Sequence, residues 1–176
     1  MAFERDGRGG DVYGDISTWC TGGVTDMQSL FDVDFDYATK FFNYAIGAWN
    51  TSGITTMLGM FWEASSFNQS LGDWSVDKVT SMWGMFDGAS AFDQPLNGWS
   101  VHLGELTTME LMFRDASVFD QDLGWCVAAG LDVGQAFDNT VCELDDCGVT
   151  QKNATTGVCS PLLAGSLNGP CLGCFK

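Results

Sequence analysis

The chain has 176 residues, enough for one domain that buries roughly two-thirds of its unfolded surface. Hydrophobic residues make up 45% and charged residues 17%, which argues against intrinsic disorder. Against 7 basic side chains stand 23 acidic ones, and the net charge of −16 opposes binding to nucleic-acid phosphates or to an anionic membrane.

Residues 1–11 read as an N-terminal extension. Met1–Asp6 lacks the basic and apolar regions of a signal peptide, which leaves a chain that is not secreted or a sequence that is incomplete. No apolar run approaches the ~20 residues that span a bilayer. From residue 12 to 140 the large side chains recur at fixed spacing. Trp49, Trp74 and Trp99 are 25 residues apart, Trp125 follows after 26, and Trp19 precedes Trp49 by 30. Met27, Met57 and Met82 lie eight residues after a Trp, and Met109 ten. Four residues after each Met stands Phe31, Phe61, Phe86 or Phe113, and six further on Phe67, Phe92 or Phe119. In the first copy five extra residues intervene and Phe42 takes that last place.

Two periodicities alternate within a copy. Leu71, Trp74 and Val76 have the spacing of a leucine-rich repeat and predict a short strand. Val79, Met82, Met85 and Phe86 are spaced i, i+3, i+6, i+7 and predict one face of a short helix, closed by Ala89-Ser90. A single copy cannot bury its Trp, Met and Phe, so copies must stack. The expected fold is an α/β, leucine-rich-repeat-like solenoid of about four to five 25-residue coils. Residues 141–176 then form a Cys-rich C-terminal cap.

The copies FNQSLGDWSVDKVTSMWGMFDGAS (67–90) and FDQPLNGWSVHLGELTTMELMFRDAS (92–117) resemble the 25-residue repeat of mycoplasma surface lipoproteins and BspA-like bacterial surface proteins. Unicellular algae carry similar arrays. The resemblance covers residues 12–127. It implies a leucine-rich-repeat-like fold, a place at the cell surface, and a role in adhesion and protein–protein contact, with no catalytic residues to carry over.

The Trp-Met-Phe set reads as core. Asn43, Asn68, Asp93 and Asp120 follow the second Phe of each copy and predict a ladder bonding the backbone of a tight corner. Asp32, Asp34 and Asp36 begin like a calcium loop. Tyr37 and Asn43 then stand where that loop needs Gly and Glu, so a solvated acidic insert is expected. Sequons begin at Asn50, Asn68 and Asn153. Asn68 belongs to the ladder, which leaves Asn50 and Asn153 as glycosylation candidates.

Five of the seven cysteines follow residue 140. A tail poor in apolar anchors needs staples, so Cys126, Cys142, Cys147, Cys159, Cys171 and Cys174 are disulfide candidates. A four-thiolate zinc site using Cys142, Cys147, Cys171 and Cys174 is the alternative. His102 is the single histidine and has no partner pattern, so no catalytic residue and no cofactor is expected.

Leu58, Trp62 and Trp83 occupy positions that should point outward. Together they form a candidate apolar contact surface, unless the 32–41 insert with Phe35 and Tyr37 folds over them. The function expected is a non-catalytic protein–protein interaction or structural module, at the cell surface or in an extracellular assembly. The alternative is an accessory subunit of an intracellular or organellar complex, for example at a plastid membrane. A third is a metal-binding protein using the tail cysteines.

Overall fold

The segment expected to be helical is built from turns, and its hydrogen bonds show why. In the computed structural model, which describes residues 14–34, 36–101, 105–142 and 146–161, the chain is mostly turn and irregular coil. Met57, Gly59, Phe61 and Glu63 donate their N–H groups to the carbonyls of Ser81, Trp83, Met85 and Asp87 at 2.7–3.0 Å. The amides between them turn back three residues: Met60 donates to Met57, Trp62 to Gly59, Ala64 to Phe61. Alternate amides thus bond along the chain and across to the next repeat. An α-helix would send every amide four residues back and leave none for its neighbour.

This alternation needs left-handed backbone at two positions per repeat. They are Gly59 and Glu63, Gly84 and Gly88, Leu111 and Asp115, then Gln135 and Asn139, with φ between 53° and 71°. A right-handed helix cannot pass through such residues. The expected α/β solenoid of four to five coils is therefore overturned. Among the described residues there is no α-helix, only the 3-10 turns Ile16–Thr18 and Tyr37–Phe41. Leu71–Val76 is not a strand either. The named strands lie at the C-terminal end: β1 (Cys126–Val127), β2 (Thr150–Lys152) and β3 (Cys159–Pro161). The helix-like spacing misled because overlapping turns bury the same positions. Val79, Met82, Met85 and Phe86 are all fully buried.

Successive repeats lie in parallel register. Isolated bridges link Asp26 to Thr56, Thr56 to Ser81, Ser81 to Thr108 and Thr108 to Asp132. The core between the layers is a set of side-chain ladders. Phe31, Phe61, Phe86, Phe113 and Phe137 stack at 5.3–5.5 Å between ring centroids. Phe42, Phe67, Phe92 and Phe119 form a second stack at 5.8–6.1 Å. Burying each ring contributes about 1.5–3 kcal/mol. The indole N–H groups of Trp49, Trp74, Trp99 and Trp125 donate to Ile16, Ile46, Leu71 and Leu96 carbonyls at 2.8–3.2 Å, so each buried Trp satisfies its polar atom one layer back. Phe137 marks a layer that the Trp-Met-Phe spacing did not reveal, because Val133 replaces the Met four residues before it.

The corner ladder forms as its residues suggest. Asn43 Oδ1 accepts from Asn68 N–H and the Gln69 amide, Asn68 Oδ1 from Asp93 N–H and Gln94, and Asp93 Oδ1 from Asp120 N–H and Gln121. All six contacts measure 2.7–3.1 Å.

After the last layer the chain returns along the Trp edge. β2 pairs parallel with β1 and antiparallel with β3. Cys126 bonds Cys159 with Cα atoms 5.8 Å apart, and Cys142 bonds Cys147 with Cα atoms 5.4 Å apart. Cys142, Cys147 and Val149 are buried against the end of the core. The second bridge occupies two thiols of the four-thiolate alternative. Cys171 and Cys174, the 1–11 extension, Phe35 and His102 lie outside the described residues.

Candidate contact face

One side of the stack carries the outward residues of the turn segments. Leu58 and Trp83 hold the same repeat position on adjacent layers, and Trp62 lies one turn after Leu58. All three are half-buried. Trp62 and Trp83 stack with centroids 5.2 Å apart and planes 23° from parallel. Left-handed Gly84 underlies this contact: a Cβ there would stand 2.7 Å from a Trp62 ring carbon. Trp83 Nε1 donates to Glu110 Oε2 at 3.1 Å, which ties the pair to the following layer. The structure thus brings Trp62 and Trp83 together in one ring pair, with Leu58 beside Trp83 by position.

Arg114 completes the face. Its guanidinium lies 5.8 Å from the Trp62 ring centroid and gives Asp87 two hydrogen bonds, at 3.1 and 2.5 Å. The Asp87 side chain is 4% exposed and that of Arg114 31%. Burial holds the Asp87 carboxyl above the usual carboxylate range, against the pull of Arg114. The Asp87 hydrogen bonds raise the Arg114 pKa further above its ordinary value.

The insert borders this face and leaves Trp62 partly open. Asp36 caps the 3-10 turn Tyr37–Phe41 by accepting from Ala38 N–H at 2.9 Å, and Asp32 Oδ1 accepts from Asp34 N–H at 2.8 Å. The acidic insert therefore spends two of its three carboxylates on its own turns. Tyr37 and Lys40 line a cleft of about 290 Å³ with Trp62, Glu63, Ser65 and Arg114. Tyr37 and Phe41 are each 67% exposed, and Tyr44 57%. From sequence, Tyr37 could fold over the Trp62 surface, and it does border Trp62; Phe41 and Tyr44 were not singled out. The signal for them was the clustering of aromatics in and just after the five-residue insert of the first copy.

The other sequence candidates are dispersed. Asn50 and Asn153 are both exposed; Asn50 Oδ1 accepts from the N–H and hydroxyl of Ser52, and Asn153 Oδ1 from the N–H groups of Thr155 and Thr156. Cys20 is exposed and free. Among the described residues no group of three His, Cys, Asp or Glu is placed to hold a metal ion, and no helix is long and apolar enough to cross a membrane.

A family model described as "Mycoplasma protein of unknown function, DUF285" matches residues 3–126. The chain belongs to this family. The match covers the layers that carry the Trp62–Trp83 face and the insert, and it stops where β1 begins. DUF285 is a surface-protein repeat family, and the two disulfides are compatible with an extracellular or surface location. No curated protein and no solved structure matches the chain.

Proposed function

We propose that the chain is a non-catalytic contact module, a rigid stack that presents one face to a protein partner at the cell surface or in an extracellular assembly. The observation that carries this reading is the half-buried Trp62–Trp83 ring pair, pinned by Glu110 and bordered by Arg114. Two indoles and a guanidinium on one preorganised face are the residue types that dominate binding energy at protein interfaces. Preorganisation lowers the entropy lost on docking, because cross-layer hydrogen bonds already fix the backbone beneath the rings. Membership of a surface-protein repeat family supports the location, as do the disulfides, which persist in oxidising compartments.

Native mass spectrometry of the protein isolated from its source tests this reading. A stoichiometric protein partner is expected, and Trp62→Asp should release it while leaving the disulfides formed. A lone 19.0 kDa chain would overturn the proposal.

A further inference from the structure

The cleft between the insert and the Trp62 layer shares Trp62 and Arg114 with the proposed protein contact and adds Tyr37, Lys40, Glu63, Ser65 and Asp115. Two aromatic rings line it, Tyr37 and Trp62; Tyr37 is 67% exposed, with the Lys40 ammonium 5.8 Å from its ring centroid. Hydrogen-bonding groups of both kinds surround them. Lys40 brings an ammonium with three N–H donors, and Arg114 has donors beyond the two it gives Asp87. Glu63 and Asp115 bring carboxylate acceptors on the exposed rim, and Ser65 brings a hydroxyl that can do either.

This mixture selects among ligand classes. An anion would meet Glu63 and Asp115, and a cation would meet Lys40 and Arg114, so an ion of either sign faces repulsion as well as attraction. A proline-rich segment stacks on aromatic grooves, but it offers mainly carbonyl acceptors, so it would use the Lys40 and Arg114 donors and none of the carboxylate acceptors. A neutral sugar ring fits both halves of the site. Its C–H face is apolar and packs on an aromatic ring, while each hydroxyl both donates and accepts. We infer that the Tyr37–Trp62 cleft binds a neutral hexopyranose unit. One wall is built from the five-residue insert of the first repeat, so one such site is expected among the described residues.

The test is saturation-transfer NMR on the full chain with cellotetraose, laminaritetraose and mannotetraose as probes. Transfer to ring C–H protons of at least one probe is expected, with one site and a Kd on the order of 1 mM, the scale of a shallow cleft. Tyr37→Ala and Trp62→Ala should each weaken binding about tenfold or more. Tyr44→Ala should leave binding unchanged, because exposed Tyr44 is not part of the cleft. No transfer with any of the probes would overturn the inference, as would transfer that both Tyr37→Ala and Trp62→Ala leave intact. Tyr37→Ala also separates the two proposals, since it should remove the sugar and keep the protein partner, whereas Trp62→Asp should remove both.

Discussion

Gly84 answers two demands at one position. Its φ is +57°, and Trp62 lies where its Cβ would be. Gly84→Ala therefore costs about 1–2 kcal/mol from the left-handed backbone alone. It also displaces Trp62 from Trp83, so chemical denaturation should show the loss and tryptophan emission should show altered packing of the pair. Asp87 makes a different demand, through protonation. Its folded pKa is raised by burial, so the fold favours the protonated form. The contribution of this site is full below the ordinary carboxylate value of about 4 and is lost as pH rises through the higher folded value. Asp87→Asn should remove that decline, which paired denaturation curves of wild type and variant across acid pH would reveal. At this scale the sequence was informative wherever the period was strict. Trp62 and Trp83 stood out as large apolar residues at outward positions, and the Asn43–Asp120 ladder stood out as polar residues one repeat apart. Tyr37 stood out only as a residue that could fold over that surface, and Lys40 not at all, because the insert has no counterpart in other copies that would fix its direction.

A single element of the repeat is a run of alternating turns, and here the reading from spacing failed. Burial at i, i+3, i+6 and i+7 is shared by a helix and by overlapping turns, so apolar pattern alone could not separate them. The discriminating signal was glycine at one position of adjacent copies, Gly59 and Gly84, with Gly88 four residues on. Ser29, Leu111 and Gln135 take the first position elsewhere, all with positive φ, and they hide the rule. The C-terminal element was more legible, since a cysteine-rich tail after the last repeat pointed to staples. Its two bridges close loops of different length, with sequence separations of 33 and 5. In the chain-entropy model the longer loop is worth about 4 kcal/mol and the shorter about 2 kcal/mol. Cys126→Ser/Cys159→Ser should therefore lower the denaturation midpoint more than Cys142→Ser/Cys147→Ser. An equal or reversed order would show that the burial of Cys142 and Cys147, not loop closure, dominates.

From Asp26 to Asp132 the described residues form a stack in which each layer bridges its neighbours. Such an architecture tolerates loss of an interior unit, because the flanking layers present the same surfaces to each other. Deleting residues 67–91 removes one period and brings Ser66 to Phe92, which has the place of Phe67. The shortened chain should fold cooperatively, with lower stability and a smaller denaturant dependence as less surface is buried. Collapse of the fold on this deletion would mean that the layers are not interchangeable. Stacking itself was legible in the sequence, because no single copy can bury its own Trp, Met and Phe. The turn-built backbone that achieves it was not.

The contact face depends on that backbone. Left-handed Gly84 is what lets Trp62 lie across the next layer beside Trp83. NMR backbone assignment of the intact chain across residues 79–88 and 105–115 tests this most directly. The account predicts strong intraresidue HN–Hα contacts at Leu111 and Asp115, the signature of positive φ, with no continuous helical run of Cα shifts. A continuous helical run from Val79 to Phe86 would contradict it, and the Trp62–Trp83 face would fall with it.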